Sequence, residues 1–317
     1  MLLFLRRALM PILPPRSPID VALGAFVLNL LRYVLFALPA FVFFHRRTPQ
    51  RFLSRRLGPG PVSETQARRE IFYSMISLAI FGLVGVCMYA LAEAGLSRFY
   101  TDDRYGPVWF VLSIPVMLLV HDTYFYWTHR FMHWKPIFKR VHTVHHQSHD
   151  PSPLAAYAFH PLEAVIEAGI GPLILLTLPV HRGAFLIFLT IQLFINVIGH
   201  LGFELYPRGF LRSPVGRWFN TTTHHHQHHQ RMKWNFGLYF NVWDRLLGTN
   251  HPQYESTSKP SPRQPRQSPP SRSRPSPRRP WRVGSPRART ERLSSCSPSV
   301  RPVHGMGAGR CRTASPC

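Results

Sequence analysis

The sequence predicts an all-α integral membrane protein with four to five transmembrane helices and a helical cap on their cytoplasmic side. Three observations carry this prediction. Apolar runs long enough to cross a bilayer recur along the first two thirds of the chain. Basic residues collect in alternate loops, and clusters of histidines stand next to the runs at helical spacing.

Five apolar runs reach or approach the ~20 residues that a helix needs to cross the hydrocarbon core. They cover residues 19–44, 71–94, 107–127, 161–180 and 183–203. Buried helices of a soluble protein are the alternative interpretation. Five runs of this length in one chain disfavour it.

The short loops predict the orientation, because Lys and Arg concentrate in cytoplasmic loops. The loop at 45–69 carries seven arginines, whereas the loop at 97–106 balances two arginines against two aspartates. The first loop is therefore expected in the cytoplasm and the second on the other side. With this alternation every histidine cluster falls on the cytoplasmic face.

The charge distribution predicts a separate C-terminal region. The chain has 38 Lys+Arg against 14 Asp+Glu, a net charge of +24, and residues 252–317 are rich in Pro, Ser and Arg. Such a segment buries too little apolar surface to fold, so we expect a disordered basic tail. It lacks interleaved aromatic residues, which disfavours nucleic-acid binding, and anionic lipid headgroups are the preferred partner. Residues 1–106 are expected to form the N-terminal membrane helices with their basic loop.

Three histidine clusters have the spacing that places several imidazoles on one helix face. The first is an i, i+4 pair, and the other two repeat the pattern H-x-x-H-H. The residues are His129 and His133; His142, His145 and His146; and His225, His228 and His229. Neutral imidazole suits zinc, copper, iron and nickel. With the single His200 the set has nine members, too many for one ion and about right for two.

The register of the third cluster follows from its glutamines. A triplet that begins at His224 or at His226 would need a histidine where Gln227 or Gln230 stands. Only His225 begins the pattern, so His224 and His226 are predicted to lie beside the site or at the surface. The chain has no H-E-x-x-H, no E-x-x-H and no nucleotide-binding motif, so a redox reaction would need electrons from a partner.

The order of the motifs resembles the fatty acid hydroxylase/sterol desaturase superfamily. The motifs are His121-Asp122, Tyr126-Trp127-Thr128-His129-Arg130 with His133, the two H-x-x-H-H triplets, His160-Pro161-x-Glu163, Asn235-Phe236-Gly237, Trp243-Asp244-Arg245 and Gly248-Thr249. Their order is most similar to the sterol carbon-5 desaturase branch. Residues 107–251 are thus expected to form a catalytic domain of this superfamily.

The resemblance implies a non-haem di-iron oxidoreductase that uses O2 to hydroxylate or desaturate a lipid, either a sterol or a fatty acyl chain. The two irons would be held by His129, His133, His142, His145, His146, His200, His225, His228 and His229. Electrons would come from a partner such as cytochrome b5, or a ferredoxin with its reductase. The membrane would be the endoplasmic reticulum in a eukaryote and the cytoplasmic membrane in a bacterium.

Six further side chains are predicted to lie next to the ligands: His121, Asp122, His160, Glu163, Asn196 and Asp244. Asp122 is expected either to orient a ligand imidazole or to be an ordinary interfacial residue. Asn196 is expected to hold a water. Glu163 is expected to pair with His160. Asp244 is expected to accept a hydrogen bond from a ligand histidine or to form a salt bridge with a basic residue.

Two other classes of function fit part of the pattern. A metal-binding membrane transporter would favour unpatterned histidine runs or ionisable residues along a pore, and the predicted spans carry few of these. A catalytically inactive lipid-binding relative is the other alternative. Because every motif histidine is present, the sequence favours the enzyme.

Overall fold

Helices make up the regular structure of residues 17–207 and 209–257, the parts of the chain that this computed structural model describes, apart from three isolated β-bridges. The α-helices are α1 (Pro18–Phe41), α2 (Gln50–Leu53), α3 (Glu64–Glu93), α4 (Gly106–Met132), α5 (Lys135–Val141), α6 (Thr143–His146), α7 (Pro161–Ala168), α8 (Ile170–Thr177), α9 (Arg182–Gly199), α10 (Thr222–Arg231), α11 (Val242–Leu246) and α12 (Tyr254–Thr257). A π-helix (Val42–Arg47) continues α1, and 3₁₀ helices form at Pro153–Tyr157, Phe210–Arg212 and Gly216–Trp218. The prediction of an all-α protein is confirmed. The predicted start of the disordered tail at residue 252 is wrong, because Tyr254–Thr257 forms α12 and Tyr254 is fully buried. The rest of the predicted tail, residues 258–317, lies outside the described residues.

Four helical stretches are long and apolar enough to cross a membrane. They are Pro18–Arg47, Glu64–Glu93, Gly106–Met132 and Arg182–Gly199, with mean hydropathies between 1.6 and 2.2. Each begins or ends in a polar segment, as expected for a helix whose ends reach the headgroups. Four of the five predicted runs therefore form long helices.

The remaining run, 161–180, forms two helices of eight residues each, α7 and α8, on either side of Gly169. The Tyr124 hydroxyl donates to the Ile166 carbonyl at 2.6 Å and so occupies an acceptor of the helical ladder. A Cβ atom at position 169 would clash with that hydroxyl. A side chain inserted into the ladder is a known cause of helix breaks, and it explains why a glycine stands here.

Small residues bring α1 and α3 close together. A Cβ atom at Gly82 would lie 2.8 Å from the Ala22 carbonyl oxygen, and one at Gly85 would lie 3.1 Å from the Ala25 Cβ atom. Close approach of backbones through small residues is how helices associate in lipid, where the hydrophobic effect contributes little. These glycines thus fix how α1 and α3 pack.

The helix ends that carry the histidines gather at one end of the bundle. The His45 Nε2 atom lies 2.8 Å from the Leu201 carbonyl oxygen, which joins the end of the π-helix to the end of α9. Arg69, in the first turns of α3, donates to the Gln147 carbonyl at 3.1 Å, directly after the second cluster. All clusters therefore share one end of the bundle. That this end faces the cytoplasm remains a prediction.

The loops without histidine clusters meet at the opposite end. The Trp109 indole donates to the Pro179 carbonyl at 2.6 Å, and the Arg98 amide donates to the Leu175 carbonyl at 2.9 Å. The start of α4 thus lies beside the segment that leads into α9. The long helices consequently run between a histidine end and a loop end.

Candidate metal centre

Nine histidine side chains gather into two adjacent groups at the histidine end. The first group contains His129, His133, His142, His146 and His228, and the second contains His145, His200, His225 and His229. Within each group the potential ligand nitrogens all lie within 4.8 Å of one another. These are the nine histidines that the sequence predicts as metal ligands. The structure brings them together, while metal binding itself remains a prediction.

Each H-x-x-H-H triplet contributes to both groups. In the second cluster, His142 and His146 point into the first group and His145 into the second. In α10 the division is reversed, because His225 and His229 belong to the second group and His228 to the first. The i, i+4 pair of a triplet shares one helix face, and the intervening histidine lies on the adjacent face. Each of these helical turns therefore supplies both groups.

The imidazole nitrogens approach one another closely. In the first group the Nε2 atoms of His129 and His142, of His133 and His146, and of His146 and His228 are each 3.1 Å apart. The second group is similar. There the Nε2 distances are 3.4 Å for His145 and His200, 2.9 Å for His200 and His225, and 3.0 Å for His225 and His229.

Main-chain carbonyls set the protonation of two of these rings. The His129 Nδ1 atom lies 2.9 Å from the Phe236 carbonyl oxygen, and the His228 Nδ1 atom lies 2.7 Å from that of Trp234. A carbonyl oxygen only accepts, so Nδ1 carries the proton and Nε2 of the neutral ring presents a lone pair to the group. Lone pairs that face one another at about 3 Å repel, and a cation between them removes the repulsion. The donor set therefore fits a divalent transition metal, for which imidazole nitrogen is a favoured ligand.

A main-chain carbonyl also orients His200 in the second group. The His200 Nδ1 atom lies 2.8 Å from the Asn196 carbonyl oxygen one turn earlier. The Asn196 side-chain amide donates to the Ala156 carbonyl at 2.6 Å. Asn196 therefore orients His200 through its main chain, and its side chain joins α9 to the 3₁₀ helix at Pro153–Tyr157. That it also holds a water remains a prediction.

Burial keeps the imidazoles neutral. Eight of the nine are buried, and His133 is half-buried. Burial lowers the pKa of His133 to about 2, with a further contribution from the nearby His129. It also lowers the pKa of His200 to about 4, although the bond to the Asn196 carbonyl opposes this shift. Neutral imidazole is the form that ligates a metal, so the site is ready to bind at neutral pH.

A carboxylate orients one of the rings. The Glu163 Oε1 atom lies 2.7 Å from the His142 Nδ1 atom, and both side chains are buried. The predicted pairing of Glu163 with His160 is limited to the His160 main-chain amide, because the carboxylate contacts the His142 ring. The His160 Nδ1 atom instead accepts from the Leu162 amide at 3.3 Å and caps the start of α7. The contact with His142 could not be anticipated, because it joins segments separated by 21 positions.

Asp244 stabilises the segment that orients His129. Its carboxylate accepts from the Phe236 and Gly237 amides at 2.9 and 2.8 Å. It also lies 3.4 Å from the His224 Nε2 atom. Burial would raise the pKa of Asp244, but the nearby His224 ring and the hydrogen bonds from the two amides bring it below its usual value. Asp244 therefore contacts a histidine outside the two groups, and it supports a ligand only through the Phe236 carbonyl.

Asp122 also stabilises the segment that contains Phe236. Its Oδ1 atom accepts from the Tyr239 and Phe240 amides at 2.8 and 3.2 Å, and His121 contacts the Tyr239 hydroxyl at 2.8 Å. Of the two roles expected for Asp122, the orientation of a ligand imidazole is contradicted, because its hydrogen bonds go to main-chain amides. Both residues join α4 to the segment that carries the Phe236 carbonyl. Hydrogen bonds of this kind depend on the chain path and leave no signal in the sequence.

The two histidines that the sequence excludes lie outside both groups. His224 contacts Asp244, and the His226 Nε2 atom lies 3.0 Å from the Gln230 side-chain nitrogen and 3.4 Å from an oxygen of Asp150. The register argument from the glutamines thus agrees with the geometry of α10.

A cavity of about 220 Å³ leads from the histidines into the helix bundle. Its inner wall includes His129, His142, His145, His200 and His225. Its outer wall is built from one face each of α1, α3 and α9, at helical spacing: Ala25, Leu28, Asn29 and Arg32; Phe81, Val84, Gly85 and Met88; and Phe185, Leu189, Gln192 and Asn196. A largely apolar space thus opens directly onto both histidine groups.

This part of the chain is similar in sequence to known proteins. Residues 114–249 match the sequence model of the family described as Fatty acid hydroxylase. Lathosterol oxidase of Homo sapiens is 29% identical over 190 residues, which cover 59% of this chain and 62% of that protein. A Delta(7)-sterol 5(6)-desaturase of Gibberella zeae is 27% identical over 242 residues, 74% of this chain and 64% of the relative. A methylsterol monooxygenase of Aspergillus fumigatus is 33% identical over 142 residues, 43% and 46% of the two chains.

The chain spans somewhat less than two thirds of the length of the first curated relatives that it matches. No solved structure matches it significantly. The matched region 114–249 contains all nine histidines of the two groups. Residues 114–249 are thus similar to the fatty acid hydroxylase family, and the chain is similar to the sterol desaturases named above.

Proposed function

We propose that this protein is a membrane-bound oxidoreductase that uses O2 and electrons from a partner protein to hydroxylate or desaturate a lipid. The observation that carries the proposal is the convergence of nine neutral imidazoles into two groups beside an apolar cavity. The relatives named above act on sterols, and the family takes its name from fatty acid hydroxylation. A sterol or a fatty acyl chain is therefore the proposed substrate class.

The proposed cofactor is a pair of non-haem irons, one in each histidine group. Bound iron supplies the activation of O2 and the one-electron chemistry that attack on an unactivated C–H bond requires. The five imidazoles of the first group and the four of the second would be the ligands. Glu163 and the carbonyls of Phe236 and Asn196 fix the rings His142, His129 and His200 with Nε2 directed inward. Such partners determine ring orientation and ligand basicity.

The protein around the site binds the lipid and limits access of water. The cavity walls from α1, α3 and α9 offer an apolar path from the bilayer to the histidines. His129, His145, His200 and His225 line this path, so a bound chain would lie next to both groups. Whether the reaction ends in an alcohol or an alkene depends on which carbon lies nearest the site.

Electron delivery is proposed to occur near His133, the least buried of the nine histidines. The exposed cations Lys135, Lys139 and Arg140 follow it directly in the chain. An acidic donor such as cytochrome b5 or a ferredoxin fits this surface, because complementary charge steers association. The proposed location is the endoplasmic reticulum or a bacterial cytoplasmic membrane, with this face in the cytoplasm.

Two measurements test the proposal. Metal analysis of the detergent-purified chain is expected to find close to two irons, whereas zinc alone would favour a metal transporter. Lipid profiling of a host that expresses the protein is expected to reveal an oxidised lipid that is absent with the His145→Ala variant. His226→Ala is the matched control, since His226 lies on α10 but outside both groups. Identical lipid profiles for wild type and His145→Ala would favour an inactive relative.

A further inference from the structure

A buried arginine lies on the cavity wall contributed by α1. Arg32 is only 7% exposed and occupies the middle of the first membrane-spanning stretch. It shares one helix face with Ala25, Leu28 and Asn29, which also line the cavity. An ionisable side chain at this depth is costly, so its position calls for a partner.

The described residues satisfy only one nitrogen of this guanidinium. The Nη2 atom donates to the Asn29 side-chain oxygen, while the Asn29 amide nitrogen is held by the Ala25 carbonyl at 2.8 Å. The Nε and Nη1 atoms are buried and have no hydrogen-bond partner among residues 17–207 and 209–257. Buried polar groups in native proteins are nearly always paired, so two vacant donors on one side chain are unusual.

The charge of Arg32 also has no counter-ion in this part of the chain. Glu163 and Glu167 line the same cavity, but neither forms an ion pair with Arg32. Apart from the histidines, the other polar groups that line the cavity are neutral: Asn29, Tyr157, Gln192 and Asn196. Arginine stays protonated in proteins, so the charge cannot be removed by loss of a proton. An unpaired charge in a low-dielectric site is strongly unfavourable until an anion joins it.

We infer that Arg32 is the binding site for the carboxylate of the lipid that occupies the cavity. Guanidinium is well suited to carboxylate, because charge-assisted N–H···O bonds are about twice as strong as neutral ones. The cavity volume of about 220 Å³ lies below the roughly 300–1,000 Å³ of typical ligand sites, so a slender alkyl chain fits better than fused rings. The ligand is therefore a straight-chain carboxylic acid, with its head at Arg32 and a chain carbon at the histidines. This inference deepens the proposed function, on which it rests for the view that the cavity holds the substrate.

Direct binding to the purified full-length protein, without an electron donor, tests the site independently of catalysis. The dissociation constants of decanoate, methyl decanoate and cholesterol are measured with the full protein in detergent. Wild type is expected to bind decanoate about ten- to a hundredfold more tightly than its methyl ester, the range for loss of a hydrogen bond to a charged group. Equal affinity for acid and ester, or tighter binding of cholesterol, would overturn the carboxylate site. Either result would leave the iron and lipid-oxidation tests of the proposed function intact.

Two substitutions identify the residue. Arg32→Gln is expected to abolish the preference for acid over ester, whereas Arg46→Gln is expected to retain it. Arg46 is the matched control, since it lies in the same membrane-spanning stretch, pairs with Glu64 and does not line the cavity. A preference that survives in Arg32→Gln would refute the assignment.

Thermal unfolding separates ligand binding from a structural role. Removal of an unpaired buried charge stabilises a protein, so Arg32→Met is expected to raise the Tm of the ligand-free chain. Decanoate is expected to raise the Tm of wild type and to leave that of Arg32→Met unchanged. A lowered Tm for Arg32→Met, together with an unchanged response to decanoate, would show that Arg32 only supports the fold.

Discussion

The Nδ1 atom of His142 lies 2.7 Å from the Oε1 atom of Glu163, and both side chains are almost fully buried. This contact links a ring of the first histidine group to α7, the helix that begins after the H-P motif. It fixes the ring so that Nε2 faces His129. A carboxylate in this position also raises the basicity of the imidazole.

Glu163→Gln should therefore weaken metal binding by about ten- to a hundredfold, the usual cost of losing such a partner. The amide keeps the shape of the side chain but not its charge. Competition with a chelator, followed by metal analysis, measures the effect. Glu167→Gln is the control, because Glu167 lies one turn later on α7 and forms no hydrogen bond or ion pair with any of the nine histidines. Equal metal retention by both variants would contradict an orienting role for Glu163.

The division of the histidines into two groups predicts selective metal loss. His133→Ala removes a member of the first group and His200→Ala a member of the second. Each variant is expected to keep about one of two metal ions, since the other group is intact. Metal content per chain tests this expectation, with His226→Ala as the control. Loss of both ions from each variant would mean that the groups act as a single site.

Metal removal should destabilise the protein. Without a cation the Nε2 lone pairs face one another at about 3 Å, whereas a bound metal stabilises the folded state by about 2.7 kcal/mol when its free concentration is a hundred times Kd. The Tm measured after dialysis against a chelator is therefore expected to fall, and to recover when Fe(II) is restored. An unchanged Tm would argue against metal in these groups.

The metal-free protein should lose stability on acidification. An unfolded histidine has a pKa near 6.5, whereas burial lowers the pKa of His200 to about 4 and that of His133 to about 2. Between these values the unfolded chain binds more protons, so this contribution to stability is complete above pH 6.5 and is lost as the pH falls towards 4. Denaturant midpoints measured across this range test the sign. His200→Gln should reduce the pH dependence of the free energy of unfolding by the equivalent of about one proton. An unaltered pH dependence would contradict the lowered pKa of His200.

The exposed cations Lys135, Lys139 and Arg140 should control the rate at which a donor protein delivers electrons to the site. Lys139→Glu is expected to raise the KM for an acidic electron donor several-fold, and the effect should shrink at high salt because the charges are exposed. Arg98→Glu is the control, since Arg98 lies at the loop end of the bundle. Kinetics with cytochrome b5 or a ferredoxin measure the change. A similar KM for both variants would place the donor elsewhere.

The sequence by itself determined the class of fold and the set of nine histidines. Apolar runs of membrane-spanning length specify helices, because a chain in lipid must satisfy its backbone hydrogen bonds internally. The i, i+3 and i+4 spacing specifies which imidazoles share a face, and Gln227 and Gln230 exclude the wrong register in α10. These features are local, so local rules suffice to predict them.

Only the tertiary structure decided how those residues are used. It divides each H-x-x-H-H triplet between two groups, pairs Glu163 with His142 and assigns Asp122 and Asp244 to main-chain amides. It also breaks the run 161–180 at Gly169, where the Tyr124 hydroxyl enters. Each of these contacts joins residues from different segments of the chain. Sequence spacing carries little information about such distances, and so the nine histidines that converge were predictable, whereas their supporting contacts and the vacant donors of Arg32 were not.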